Sequence, residues 1–183
     1  KDHGGPQGSL YTFLNKIAKR FPKKQLCTLA YLHTYNPPIN LKIASNITTL
    51  FCPIEMDRGN PISLKNNNKP VANTLARWQS ASKNLFVWDY TVQFANYMSP
   101  FPNLSYFEEN YTTFKANNVK GLFVQGYADV PGDFSELRQY LLAKLLWDAS
   151  IDVKATTADF LRGFYGKAAS EIENYLSHVR KIL

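Results

Sequence analysis

The stretch Asn84–Leu104, NLFVWDYTVQFANYMSPFPNL, decides how the chain is read. Leu85-Phe86-Val87-Trp88 is a short apolar run of the length that a fully buried strand uses. It breaks at Asp89, Tyr90 and Thr91 into an aromatic loop that closes on Pro100-Phe101-Pro102. An acid at the end of a buried strand, beside rings able to flank a flat ligand, is how α/β proteins present chemistry. The competing reading makes Asp89 a cap for the following turn and the rings part of the core.

Three further runs resemble this one. LCTLAYLHT (Leu26–Thr34) predicts a strand ahead of it, with Tyr31 and His33 on one face and Leu32 and Thr34 on the other. ITTLFCPIE (Ile47–Glu55) predicts a second, where Pro53 marks a bulge or an edge because it has no N–H to give the ladder. VKGLFVQ (Val119–Gln125) predicts a fourth, running into Gly126 and Tyr127. Helical spacing lies between and around these runs. Ser9 heads Leu10, Phe13, Leu14, Ile17, Ala18 and Phe21, a pattern stopped by Pro22. Asn68 and Pro70 open a helix with Val71, Leu75 and Trp78 on one face. Asn103 or Ser105 begins another, carrying Phe107, Tyr111 and Phe114. Asp133-Phe134-Ser135-Glu136 reads as a capping box for a strongly amphipathic helix through Leu137, Leu141 and Leu145. Asp152 starts a helix that Gly166 ends, and Lys167–Leu183 continues at helical spacing.

Strands alternating with helices predict an α/β fold: four parallel βα units over residues 1–150, then a helical hairpin over 151–183 packed on them. Such a sheet collects its functional groups at the C-terminal strand ends. Here those ends supply Tyr31 and His33, then Glu55, then Trp88, Asp89 and Tyr90, and finally Gln125 and Tyr127. Neighbouring strands lie about 4.8 Å apart. Glu55 and Asp89 on nearby ends can therefore fall within the roughly 5–9.5 Å separation of glycosidase carboxyl pairs, as any two acids so placed would. Plainer readings stand beside this one. His33 serves as a hydrogen-bonded structural residue, Glu55 pairs with Arg58, and Gln125 satisfies a backbone group.

Composition narrows the classes. With 183 residues, 45% hydrophobic and 14% aromatic, the chain has enough apolar side chain for a packed core. No apolar run approaches the length of a membrane span, about 18 residues or more. The first residue is Lys1 and no charged, apolar leader follows, which reads as a processed or trimmed piece. The net charge of +7 gathers at Lys16, Lys19, Arg20, Lys23 and Lys24, where cations suit a helix C-terminus. With no RNA-binding signature or zinc-finger spacing, this is read as a solvated helix end and not a nucleic-acid surface. Cys27 and Cys52 lie in apolar runs without CxxC or metal spacing, which predicts two buried free thiols and no metal site. No Gly-rich phosphate loop, GxSxG elbow or HExxH occurs, and no cofactor is expected. Sequons at Asn46, Asn103 and Asn110 matter only in a eukaryotic secretory product.

GSLYTFLNKIAKRFP, LCTLAYLHTYNPP, FCPIE, LFVWDYTVQFANYMSPFPNL, FSELRQYLLAKLLWD and DFLRGFYGKAA, in this order, resemble a known family. The resemblance is to the C-terminal half of an uncharacterised domain family from exported proteins of polysaccharide-degrading gut bacteria. That family is similar in turn to barrel glycosidases that include α-glucuronidases and β-hexosaminidases. The resemblance implies the second half of a TIM (β/α)8 barrel. It also implies a glycan as ligand and a periplasmic or extracellular location. The family carries no established reaction and assigns no catalytic residue. By position, Glu55, Asp89, Tyr90 and Gln125 line such a barrel mouth with Tyr31 and His33 nearby. Glu55 and Asp89 are thus read as the acid/base or charge-stabilising pair, and Tyr31, Trp88 and Tyr127 as rings against the sugar. In the related glycosidases the general acid commonly comes from around the fourth strand, which would precede Lys1, with Asp2-His3 as the tail of its loop. A whole barrel takes about 250 residues, and a free half exposes two parallel edges. The expected partner is therefore the missing N-terminal half or a second copy of the chain. The alternative to hydrolysis is a non-catalytic glycan-binding or scaffold half-barrel.

Overall fold

The computed structural model describes residues 3–127 and 131–182. The order of elements is α1 (Pro6–Arg20), β1 (Leu26–Ala30), β2 (Ile47–Phe51), α2 (Lys69–Ala81), β3 (Asn84–Tyr90), α3 (Phe107–Ala116), β4 (Gly121–Gln125), α4 (Ser135–Trp147), α5 (Val153–Tyr165) and α6 (Ala169–Ile182). Short 3₁₀ turns occupy Leu32–Thr34, Asn103–Tyr106 and Gly166–Ala168. The four strands form one parallel sheet in the order β1-β2-β3-β4, alternating with helices as expected of an α/β fold. Register pairs Thr28 with Thr49 and Thr49 with Leu85. Among the described residues, no helix is long and apolar enough to cross a membrane.

Two compact units divide the chain. The first comprises Lys1–Met56, Ile62–Tyr90 and Thr113–Val124, and holds the sheet with α1 and α2. Strand alternation sends Ala30, Ile47, Thr49, Phe51, Leu85 and Val87 to one buried face. Tyr11 of α1 reaches that face and shares a 2.8 Å hydrogen bond with the Thr49 hydroxyl. Its ring lies 5.6 Å from Trp78 of α2, whose indole N–H donates to the Tyr35 carbonyl at 2.7 Å. On α2, Val71, Thr74, Leu75 and Trp78 are buried, the stripe of a helix laid on a sheet.

The second unit comprises Asp57–Pro61, Thr91–Thr112 and Gln125–Leu183. Its helices α4, α5 and α6 are joined by rings: Tyr140 to Phe160 at 5.0 Å, and Phe134 to Tyr165 at 6.5 Å and to Tyr175 at 5.9 Å. Asp152 caps α5, its carboxylate accepting the Ala155 N–H at 2.8 Å.

Several expected boundaries move, each for a local reason. α1 begins at Pro6, before Ser9, because a proline in the first helical turn has no N–H to leave unsatisfied. Gly8 is required there, since a Cβ would sit 2.3 Å from the His3 carbonyl oxygen. β1 stops at Ala30 and not at Thr34, and β2 at Phe51 and not at Glu55. β4 begins at Gly121, two residues after the expected start at Val119. Asp133 does not cap α4; Phe134 precedes that helix in the left-handed region at φ 48, and no side chain caps its end. Nor is α4 cleanly amphipathic, because Arg138 shares the buried side with Leu141 and Leu145 while Trp147 is 93% exposed. Of the two thiols expected to be buried, Cys27 is exposed and Cys52 is buried; both are free. Asp2 and Leu183 lie outside the described residues.

Candidate functional site

Each strand end is built differently. After β1, Tyr31 stays extended at φ −143 and ψ 142, and then Leu32 turns the chain at φ 47. The Thr34 hydroxyl locks this turn by accepting the Tyr31 N–H at 3.2 Å and lying 3.0 Å from the Tyr31 carbonyl. Tyr31 is half-buried and His33 exposed, and the turn removes His33 from the strand alternation that the sequence suggested.

After β2, Cys52 still donates its N–H to Ala30 at 3.1 Å, but Pro53 ends the pairing. Ile54 and Glu55 form a turn that leaves Glu55 exposed. Glu55 has two neighbours that the sequence did not single out. Burial pushes the Cys52 thiol up to about 11; the Tyr90 hydroxyl, hydrogen-bonded to it, works the other way, and the Glu55 charge adds slightly to the rise. Burial likewise raises the Tyr35 phenol, and Glu55 raises it further. Glu55, Tyr35, Cys52 and Tyr90 thus form one electrostatically linked group in the first unit.

At the end of β3 the alternation separates the two sides of the motif. Asp89 falls on the helix-covered face with Leu85 and Val87, is 2% exposed, and accepts the Tyr90 N–H at 2.9 Å. Trp88 and Tyr90 fall on the other face, stacked with centroids 6.2 Å apart and planes at 22°. Phe123 of β4 meets Trp88 edge-on at 4.5 Å. Trp88 is half-exposed and Tyr90 buried.

The second unit holds the loop that follows β3. Thr91 donates both its N–H and its hydroxyl to the Gln125 carbonyl, at 3.1 and 3.0 Å. Asn103 donates to the Thr91 carbonyl at 3.1 Å and accepts from a guanidinium N–H of Arg138. Arg138, 2% exposed, also donates to the Phe101 carbonyl, to the Asp133 carbonyl at 2.7 Å and to the Asp133 carboxylate at 3.0 Å. The same carboxylate accepts the Phe101 N–H at 3.1 Å, and the Phe101 ring lies 5.5 Å from the guanidinium. Tyr127 joins this group. Burial raises its phenol and Arg138 opposes the rise, while its ring meets Tyr97 edge-on at 5.2 Å. Arg58 lies over the Phe94 ring at 5.7 Å.

Arg138 is the residue that sequence reasoning missed. Its signal was present, because Arg138, Leu141, Leu142 and Leu145 share one helical stripe, and a cation on an apolar stripe needs a buried partner. Among the described residues, no three His, Cys, Asp or Glu side chains gather as a metal would require.

Chemically, the first unit brings together an exposed carboxylate, two tyrosines and a thiol, and sets a stacked Trp–Tyr pair on the open side of β3. The second unit anchors an aromatic loop at both of its ends. No curated protein and no solved structure matches the chain. A family model described as "Domain of unknown function (DUF4838)" matches residues 1–177, and the chain belongs to that family.

Proposed function

We propose that this chain is a glycoside-hydrolase-like domain that engages glycans at the C-terminal ends of its strands. The observation that carries the reading is the Trp88–Tyr90 stack, half-exposed at Trp88, on the same strand as the buried Asp89 and in the same unit as the solvent-facing Glu55. Sugar rings present apolar C–H faces, and aromatic side chains cover such faces while freezing few rotamers. Tyr31 and His33, in the same unit, belong to this reading as further sugar contacts. Glu55 and Asp89 supply the carboxyl pair of this reading, one exposed and one buried. An exported protein, meeting polysaccharide outside the cell, is the setting that goes with this reading.

A second reading, glycan binding without hydrolysis, is favoured by one observation: the Asp89 carboxylate is turned to the helix-covered face and accepts a backbone N–H. One experiment separates the two. Asp89→Asn and Trp88→Ala are compared with the unchanged protein for turnover and for binding on a panel of oligosaccharides that includes uronate-capped ones. Hydrolysis predicts that Asp89→Asn abolishes turnover with binding retained. The binding reading predicts no turnover at the outset and a loss of affinity of about tenfold or more in Trp88→Ala. Absence of both turnover and binding across the panel overturns both.

A further inference from the structure

The two units divide the charge of the chain unevenly. Of its 21 Lys and Arg and 14 Asp and Glu, the first unit carries thirteen cations against three acids, and the second eight against eleven. Within the first unit the excess has a place. The strands run the same way, so the segments leading into them meet at one end of the sheet, opposite the candidate site. Each segment brings a cation: Lys23 and Lys24 before β1, Lys42 before β2, Lys83 before β3 and Lys120 before β4. Arg20 and Lys115, in the last turns of α1 and α3, stand at the same end. All seven are exposed. No Asp or Glu occurs in 19–25, 41–46, 82–84 or 115–120, and among the described residues none of these cations is in an ion pair. Helix dipoles account for Arg20 and Lys115. The five loop lysines have no such partner, and gathered like charges repel one another.

The loops that carry them are stitched in place. Asn46 donates to the carbonyls of Ala18, Phe21 and Lys24, and Asn84 donates to the Ser45 carbonyl at 2.6 Å. Asn15 donates to the Lys42 carbonyl and accepts the Ala44 N–H, both at 2.9 Å. A recess of about 270 Å³ lies between Lys42 and Lys83, with Asn15 and Ser45 on its walls. We propose that this end of the sheet binds an acidic polysaccharide, laid across the strand starts with one ring in that recess. Strand starts follow one another at about 4.8 Å, a row that suits a linear polymer with an anion on successive units. Lysine is a point charge that takes a carboxylate or a sulfate without a fixed geometry. Gln25 and Ser45, both exposed, add neutral hydrogen-bonding groups for a hydroxylated partner. Nucleic acid fits less well, because Arg20 is the one arginine of the seven and no row of rings is present for bases to stack on. A bilayer fits less well too, since Ile43 is buried and Phe21 is the one large apolar side chain exposed in these segments. The proposal rests on charge at the far end of the strands and is independent of the glycan reading of Trp88.

The test is titration of the protein with oligogalacturonate, which supplies carboxylates, with dextran sulfate, which supplies sulfates, and with neutral dextran. Duplex DNA and vesicles of anionic lipid are run beside them. The expected result is that an acidic polymer binds, more weakly as salt rises, and that dextran does not. The tighter of the two acidic polymers identifies the anion. Replacing Lys42→Gln and Lys83→Gln together should lower the affinity about tenfold and reduce the slope against log salt by about one per lysine. Both are exposed, so the fold is kept. Lys167→Gln with Lys181→Gln, exposed cations of the second unit, should leave the affinity within about twofold. Trp88→Ala should leave it unchanged. Binding of neither acidic polymer, tighter binding of DNA or vesicles than of both, or equal losses from the two lysine pairs overturns the proposal. So does a loss confined to Trp88→Ala, which would move the ligand to the other strand ends. In a longer polypeptide containing this chain, Lys42 and Lys83 shielded from an acylating reagent without added polysaccharide would reveal an internal cover and equally overturn it.

Discussion

Cys27 and Cys52 have the same chemistry and opposite surroundings, the first exposed and the second 1% exposed. At low micromolar concentration and pH 8, one thiol per chain should react with a disulfide reagent, with the second appearing only on denaturation. Cys52 also gives a pH dependence with a definite sign. Its folded value is raised to about 11 from 9.0, so on going above pH 9 the unfolded chain ionises first. Stability is fully present below about pH 9 and is lost as pH rises through 11. The contribution is on the order of 2 kcal/mol, and denaturant melts of Cys52→Ala against the unchanged chain between pH 8 and 11 measure it. The sequon asparagines read differently at this scale too. Asn46 donates to the carbonyls of Ala18, Phe21 and Lys24, while Asn103 and Asn110 are buried, so their side chains belong to the fold.

The loop from Thr91 to Asn103 stands or falls with Arg138. Arg138→Met takes the guanidinium donor from the Asn103 amide oxygen, the Phe101 carbonyl and the Asp133 carbonyl, and leaves the Asp133 carboxylate with the Phe101 N–H but no counter-charge. The expected cost is about 3–5 kcal/mol in a urea melt. Arg162→Met is the control, because the Arg162–Asp159 pair is 3.5 Å apart with side chains 68% and 71% exposed; the expected change there is under about 0.5 kcal/mol. Equal effects from the two variants would remove Arg138 from this role. The same loop shows what the sequence could and could not reveal. The apolar runs, their order and the helix starts signalled by Asn68, Pro70 and Asp152 are local and were legible. The ends of β1 and β2 were not, because Tyr31-Leu32-His33-Thr34 has strand-like residues whose conformation is set by the left-handed Leu32 and the Thr34 hydroxyl. Asp133 resembled a cap because its partner, Arg138, lies in the helix it was expected to cap, while Asn103 and Phe101 lie far away in sequence. Asp89 was placed at the right strand end, but only the burial of Leu85 and Val87 shows which face it takes.

Across the whole molecule, each unit is assembled from separated segments, so a break at residue 150 does not fall between them. α5 and α6 provide the ring neighbours of Phe134 and Tyr140 at the two ends of the first turns of α4. A chain ended at Ser150 should therefore lose more helical circular-dichroism signal than the deleted helices account for. A loss matching α5 and α6 alone would mean that α4 holds without them. The three tryptophans, finally, occupy three different surroundings: Trp78 at 0% exposure, Trp88 half-covered on the open sheet face, and Trp147 at 93%. The protein thus carries its own optical labels. A soluble quencher removes the red-shifted emission of Trp147 first and that of Trp78 last, which leaves Trp88 as the colour that changes when something settles on the sheet.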